Sequence, residues 1–129
     1  MHKSFLRVLV IFLFVFSGIA KADDEFTNPA KPIYVDSSSD TLTIKLKANP
    51  TTGYSWYLQS IDSPWLVPLS HRYVPPVSQL AGAPGYDVWT FKIKPTYKMV
   101  PFYTEIELIY TRPWQVNTSP TVFRIFYRP

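Results

Sequence analysis

From Ile33 onward the chain alternates apolar and polar residues in short stretches, the period of two that marks strands with one face buried and the other in water. Thr41 to Lys47 sets Leu42, Ile44 and Leu46 on one side and Thr43, Lys45 and Lys47 on the other. Asp87 to Ile93 aligns Trp89, Phe91 and Ile93, and Tyr103 to Tyr110 aligns Thr104, Ile106, Leu108 and Tyr110 opposite Glu105 and Glu107. Thr121 to Tyr127 ends the pattern with Phe123, Ile125 and Tyr127 on one face. Shorter stretches lie at Ile33 to Val35, Tyr54 to Leu58 and Arg72 to Val74, the last stopped by Pro75-Pro76, while Asp36 to Asp40 reads as a turn. About seven or eight short strands separated by Pro, Gly and Ser predict an all-β fold, an immunoglobulin-like two-sheet β-sandwich. Asp23 to Pro32 reads as a polar, Pro-punctuated lead into it.

One segment breaks the alternation. Val8 to Phe16 is an unbroken apolar run, preceded by Lys3 and Arg7 and followed by Ser17, Gly18 and Ala20-Lys21-Ala22. That order is the one of a secretory signal peptide, and the run is too short to span a bilayer. Residues 1–22 are therefore expected to be a leader and residues 23–129 a single domain, exported to a periplasm or secreted, with no membrane attachment after cleavage. Removing Lys3, Arg7 and Lys21 from 13 basic residues while keeping all 9 acidic ones leaves a net charge of +1. The remaining cations stand singly or at alternate positions, such as Lys45 and Lys47 or Lys92 and Lys94, so no nucleic-acid partner is expected. Thirteen prolines exclude a helical bundle, and the absence of Cys excludes disulfides, thiolate metal sites and Cys nucleophiles.

A search for catalytic groups finds little. His71 is the one histidine after the leader, and a triad would have to join it to Ser70 or Ser78 and Asp87, none in a nucleophile-elbow context. It reads better as a solvated residue at a strand edge. Asp36 and Asp40 bracket a serine run that lacks the alternating oxygen ligands of a calcium loop. Glu105 and Glu107 share a strand face and read as solvated rather than as an acid/base pair. No enzyme, metal or cofactor is expected.

Three connections stand out instead. Asn49-Pro50-Thr51-Thr52-Gly53-Tyr54 combines a φ-fixed Pro, a Gly able to take positive φ and two hydroxyls, a stiff and shaped loop. Leu80-Ala81-Gly82-Ala83-Pro84-Gly85 has two Gly that permit close approach by a partner, and Arg112-Pro113-Trp114 displays a Trp beside a Pro and an Arg, the composition of an interface hot spot. In a sandwich of this strand order the three connections can share one end, forming a binding surface.

The runs Asn49 to Trp56 and Tyr110 to Trp114, with the Gly-containing loop between them, resemble the chagasin family of protein inhibitors of papain-like cysteine proteases. The resemblance covers most of residues 23–129 and includes Arg72 to Pro76. It implies a reversible, tight-binding, monomeric inhibitor of cathepsin L or B type enzymes that occludes the active-site cleft. Thr51 and Thr52 would wedge over the catalytic cysteine, with Thr51 closest. Gly82 to Gly85 would contact the unprimed side through backbone groups, and Arg112 and Trp114 the primed side. The middle loop departs from the family's Gly, any residue, Gly, Gly at Pro84, which removes an amide donor. The alternatives from other classes are an exported adhesion or carbohydrate-binding module, with exposed Tyr and Trp stacking on sugars, and a small hydrolase using His71.

Overall fold

A computed structural model describes residues 25–94 and 99–129. The expected leader lies outside them. Among the described residues the chain forms eight strands: β1 Glu25–Phe26, β2 Ile33–Asp36, β3 Thr41–Ala48, β4 Ser55–Ile61, β5 Leu66–Val74, β6 Gly85–Ile93, β7 Phe102–Thr111 and β8 Thr121–Arg128. They make two four-stranded sheets in the orders β1-β3-β6-β5 and β2-β8-β7-β4. The first two strands lie in different sheets, each parallel to its neighbour, whereas every later pairing is antiparallel. This is a two-sheet sandwich, as the alternating pattern predicts, with its first two strands divided between the sheets.

The inward faces are the ones the sequence marks. Leu42, Ile44 and Leu46 of β3 lie beside Phe91 and Ile93 of β6 on one inner face, and the facing sheet contributes Ile106, Leu108, Phe123, Ile125 and Tyr127, all buried. Hydrophobic burial of this interdigitated layer is what holds two sheets together without any covalent link. Aromatic rings close both ends. Trp65, Phe102 and Tyr127 stack at centroid distances of 4.1 and 4.8 Å at one end, and Tyr54, Tyr110 and Trp56 at 5.3 and 4.9 Å at the other.

Four expectations are refined. The polar lead contains β1, two residues paired with Thr43 and Ile44. Thr43 is buried although it lies on the face expected to meet water. The third predicted strand begins at Ser55 and runs to Ile61, with its register shifting between Leu58 and Ser60. β5 is nine residues long rather than the three from Arg72 to Val74. Its start was hidden by Pro68, which an edge strand tolerates because its free side needs no donor, and the register shifts beside it between Pro68 and Ser70.

Candidate functional site

Because β3 and β6 are antiparallel, with Ala48 opposite Gly85, and β4 and β7 are antiparallel, with Ser55 opposite Thr111, the three conspicuous connections leave the sandwich at one end. Residues 49–54 join β3 to β4 across the sheets, 75–84 join β5 to β6, and 112–120 join β7 to β8.

The first loop is built from its own side chains. Pro50 starts a single 3-10 turn over Pro50–Thr52, and Gly53 ends it in the left-handed region at φ 80°. The amide of Thr52 donates to the Asn49 carbonyl and that of Gly53 to Pro50. Both hydroxyls turn inward: Thr51 Oγ1 donates to Asn49 Oδ1 at 2.6 Å and Thr52 Oγ1 to the Asn49 carbonyl at 2.6 Å. The Asn49 amide donates to the Tyr110 hydroxyl at 3.1 Å, and Trp56 Nε1 donates to the Lys47 carbonyl at 2.9 Å. The loop thus stands on the Tyr54, Tyr110 and Trp56 rings, with Pro50, Thr51, Thr52 and Gly53 exposed.

The third loop clamps the first. Arg112 Nε donates to the Thr52 carbonyl at 3.2 Å, and its guanidinium lies 4.5 Å from the Tyr54 ring centre. Arg112 is only half-exposed, so its charge is spent largely on this internal contact. The Gln115 amide closes a turn onto the Arg112 carbonyl, and Pro113 sits exposed inside it. Trp114 is 74 % exposed, and a Cβ placed on Gly53 would lie 3.7 Å from its ring. An indole held beside a rigid turn yet open to water is a ready-made apolar contact for another molecule.

The middle loop is joined to the first by one bond, from Asn49 Nδ2 to the Gly82 carbonyl at 3.5 Å. Gly82 takes φ 78° and has open space around its Cα, as a loop tip should. Ala83 is half-exposed, its amide donating to the Leu80 carbonyl, and Pro84 is exposed. Gly85 differs: it is buried as the first residue of β6, where a Cβ would fall 2.3 Å from the Val74 carbonyl oxygen and 2.4 Å from the Tyr73 hydroxyl. The close approach it permits is to this chain's own β5.

Reading the sequence counted Tyr54 among the contact residues of the first loop and gave Trp56 and Tyr110 no task at the site, whereas the structure half-buries Tyr54 against Tyr110. Their shared task is to support the loop. The signal available was a run of aromatics flanking the two motifs.

The other candidates sit elsewhere. His71 is on the edge strand β5, 3.4 Å from the buried carboxylate of Asp87 and 4.2 Å between ring centres from Trp89. Ser78 Oγ instead accepts the Leu80 amide. Asp36 Oδ1 accepts the Ser38 amide, an Asx turn. Glu105 accepts the Tyr103 hydroxyl, a bond that holds the phenol above its ordinary pKa. No group of three His, Asp or Glu suited to a metal occurs among the described residues.

Comparison with known proteins places this arrangement. Residues 37–127 match the model of the chagasin family of peptidase inhibitors I42. Chagasin of Trypanosoma cruzi is 32% identical over 79 residues, 58% of this chain and 67% of that protein. Among solved structures, the cysteine protease inhibitor EhICP2 from Entamoeba histolytica superposes with a TM-score of 0.61 at 22% identity, over 81% of this chain and 94% of that one. Amebosin superposes with 0.58 at 24% identity, over 81% and 96%. Both likenesses are in the sandwich fold.

Proposed function

Since the chain belongs to the chagasin family of peptidase inhibitors, we propose that it inhibits papain-like cysteine proteases reversibly, filling the active-site cleft with the three loops at one end of the sandwich. The observation that carries this reading is the bracing of those loops into one surface, through the Arg112 bond to Thr52 and the Asn49 bond to Gly82, with the Trp114 ring lying over the Cβ position of Gly53. The 3-10 turn and left-handed Gly53 bend the backbone away from the extended pose of a substrate, so no peptide bond at Thr51 or Thr52 reaches attack geometry over the catalytic cysteine. A loop already ordered loses little entropy on docking, which lets about 800 Å² of surface per partner bind tightly. Gly82, Ala83 and Pro84 take the unprimed side, with the buried Gly85 only anchoring them to β6, and Arg112 and Trp114 take the primed side. Enzymes of cathepsin L or B type are the target class, met outside the cytoplasm by a monomer that has lost residues 1–22. Occlusion of this kind uses no catalytic group of the inhibitor.

The test is titration of the protein into papain and a cathepsin L-type enzyme while following hydrolysis of a fluorogenic peptide. Equimolar, reversible loss of activity is expected. Full activity at micromolar inhibitor would overturn the reading.

A further inference from the structure

The cations that stand apart in the sequence are gathered by the fold. Alternate positions on a strand share a face, and β3, β6 and β5 are hydrogen-bonded neighbours, so Lys45, Lys47, Lys92 and Arg72 all stand on the outer face of one sheet. Lys45, Val88 and Arg72 form one cross-strand row, which puts the two cations about 10 Å apart. Lys47 is one step along β3, about 7 Å nearer the loops, and Lys92 lies about 14 Å along β6 in the other direction. Val88 is only 5% exposed on this outer face, flanked in register by the Lys45 and Arg72 side chains. Glu25 of β1 is ion-paired into the face, 3.5 Å from Lys45, and Asp40, in the turn before β3, accepts the Ile93 amide through its carbonyl and so lies at the Lys92 end of the strip.

We propose that this outer face of β3, β6 and β5 binds a linear sulfated polysaccharide. The cations are spread over a flat strip at separations suited to successive anionic groups along an extended chain. The hydroxyls of Thr90 and Ser70 lie in the row between Arg72 and Lys92, where sulfate and sugar oxygens find partners. A nucleic acid fits less well, because the one aromatic ring in these rows, Tyr86, is capped by the Lys45 ammonium at 4.6 Å and offers no face to a base. A bilayer fits less well too, because among the described residues Leu69, at the bulge of β5, is the single exposed large apolar side chain beside these rows, too little to insert among lipid chains. The strip lies along the side of the sandwich and leaves the loop end open.

The test uses heparin as the probe, with binding measured by calorimetry over a range of salt. Heparin is expected to bind at low salt, its affinity falling steeply as salt rises because counterions are released from the polyanion. The Lys47→Gln/Arg72→Gln/Lys92→Gln variant should bind at least about tenfold more weakly, with an unchanged melting temperature and unchanged protease inhibition. The three single variants, each weaker by a smaller factor, serve if the triple variant does not fold. Glu25→Gln, which releases Lys45, should bind about twofold more tightly. No binding at low salt, or equal binding by the charge-removed variants, would overturn the proposal. So would equal or tighter binding of single-stranded DNA or phosphatidylserine vesicles than of heparin.

Discussion

The loops at residues 49–54 and 75–84 flank the same surface but are held very differently. The first is one turn whose two threonine hydroxyls, two backbone amides and one asparagine are all bonded within the loop, and which is tied from outside by Tyr110 and Arg112. The second is longer, carries Val77 and Leu80 fully or largely exposed, and has two internal bonds near its tip, from the amides of Leu80 and Ala83. In the proposed mode of inhibition the difference separates two tasks. A wedge that must resist cleavage has to be rigid, whereas a loop that meets the more variable flank of a cleft benefits from adjusting to it.

The largest effect should come where the adjustable loop meets the rigid sheet. Gly85→Ala drives a Cβ into the Val74 carbonyl and the Tyr73 hydroxyl, atoms that belong to the adjoining strand. A loss of about 3 kcal/mol in stability is expected from such overpacking, read by urea denaturation. Unchanged stability would mean that β5 and β6 are not locked at that point, and the contrast between loop and sheet would fail. Next in size is Trp114→Ala. Removing a central, exposed indole should cost about 2 kcal/mol of binding, roughly a thirtyfold rise in inhibition constant. An inhibition constant that does not move would take Trp114 out of the surface.

A matched pair tests the contrast directly. Gly53 and Gly82 have nearly equal φ of 80° and 78°, so alanine at either position carries a similar intrinsic strain of about 1 kcal/mol. In the braced loop the strain has no outlet, and Gly53→Ala should weaken inhibition about five- to tenfold. In the looser loop the backbone relaxes, and Gly82→Ala should cost less than about threefold. Equal effects would show that the two loops are equally stiff.

Much of this architecture was legible in the residues. Strict alternation from Thr41 to Lys47 and from Tyr103 to Tyr110 places the inward faces, because a strand turns every second side chain to the core. Pro50 and Gly53 mark a bent loop for reasons of φ alone. What the sequence hid depended on neighbours. β5 carries a proline and a bulge near its start, at Pro68, that its edge position tolerates, and β1 is a two-residue strand paired with β3. Gly85 looks like Gly82 in the sequence, yet one fits inside a sheet and the other stands in solvent. Arg112 reads as an exposed contact residue, whereas it is half-buried, bonded to Thr52 and laid over Tyr54, which are about sixty residues away along the chain. Lys45 and Lys92 are far apart in sequence and join one face only through strand pairing.

The smallest expected effect belongs to Pro84, where two influences oppose each other. The ring stiffens the chain just before β6, limiting the conformations the loop must abandon on docking, a contribution of about 0.4–1 kcal/mol. It also removes an amide that a protease could have used as a donor, and a single hydrogen bond of that kind has a net value of about 1 kcal/mol. In a braced loop the restored amide would be aimed in advance and the second influence would prevail. Here the loop is the looser of the two, so the added freedom on Pro84→Ala outweighs an amide with no fixed direction. Inhibition should weaken about two- to threefold. Inhibition that strengthens instead would show that the loop around Pro84 is already rigid in the free protein and that its distinction from the Asn49–Tyr54 loop lies in composition rather than in stiffness.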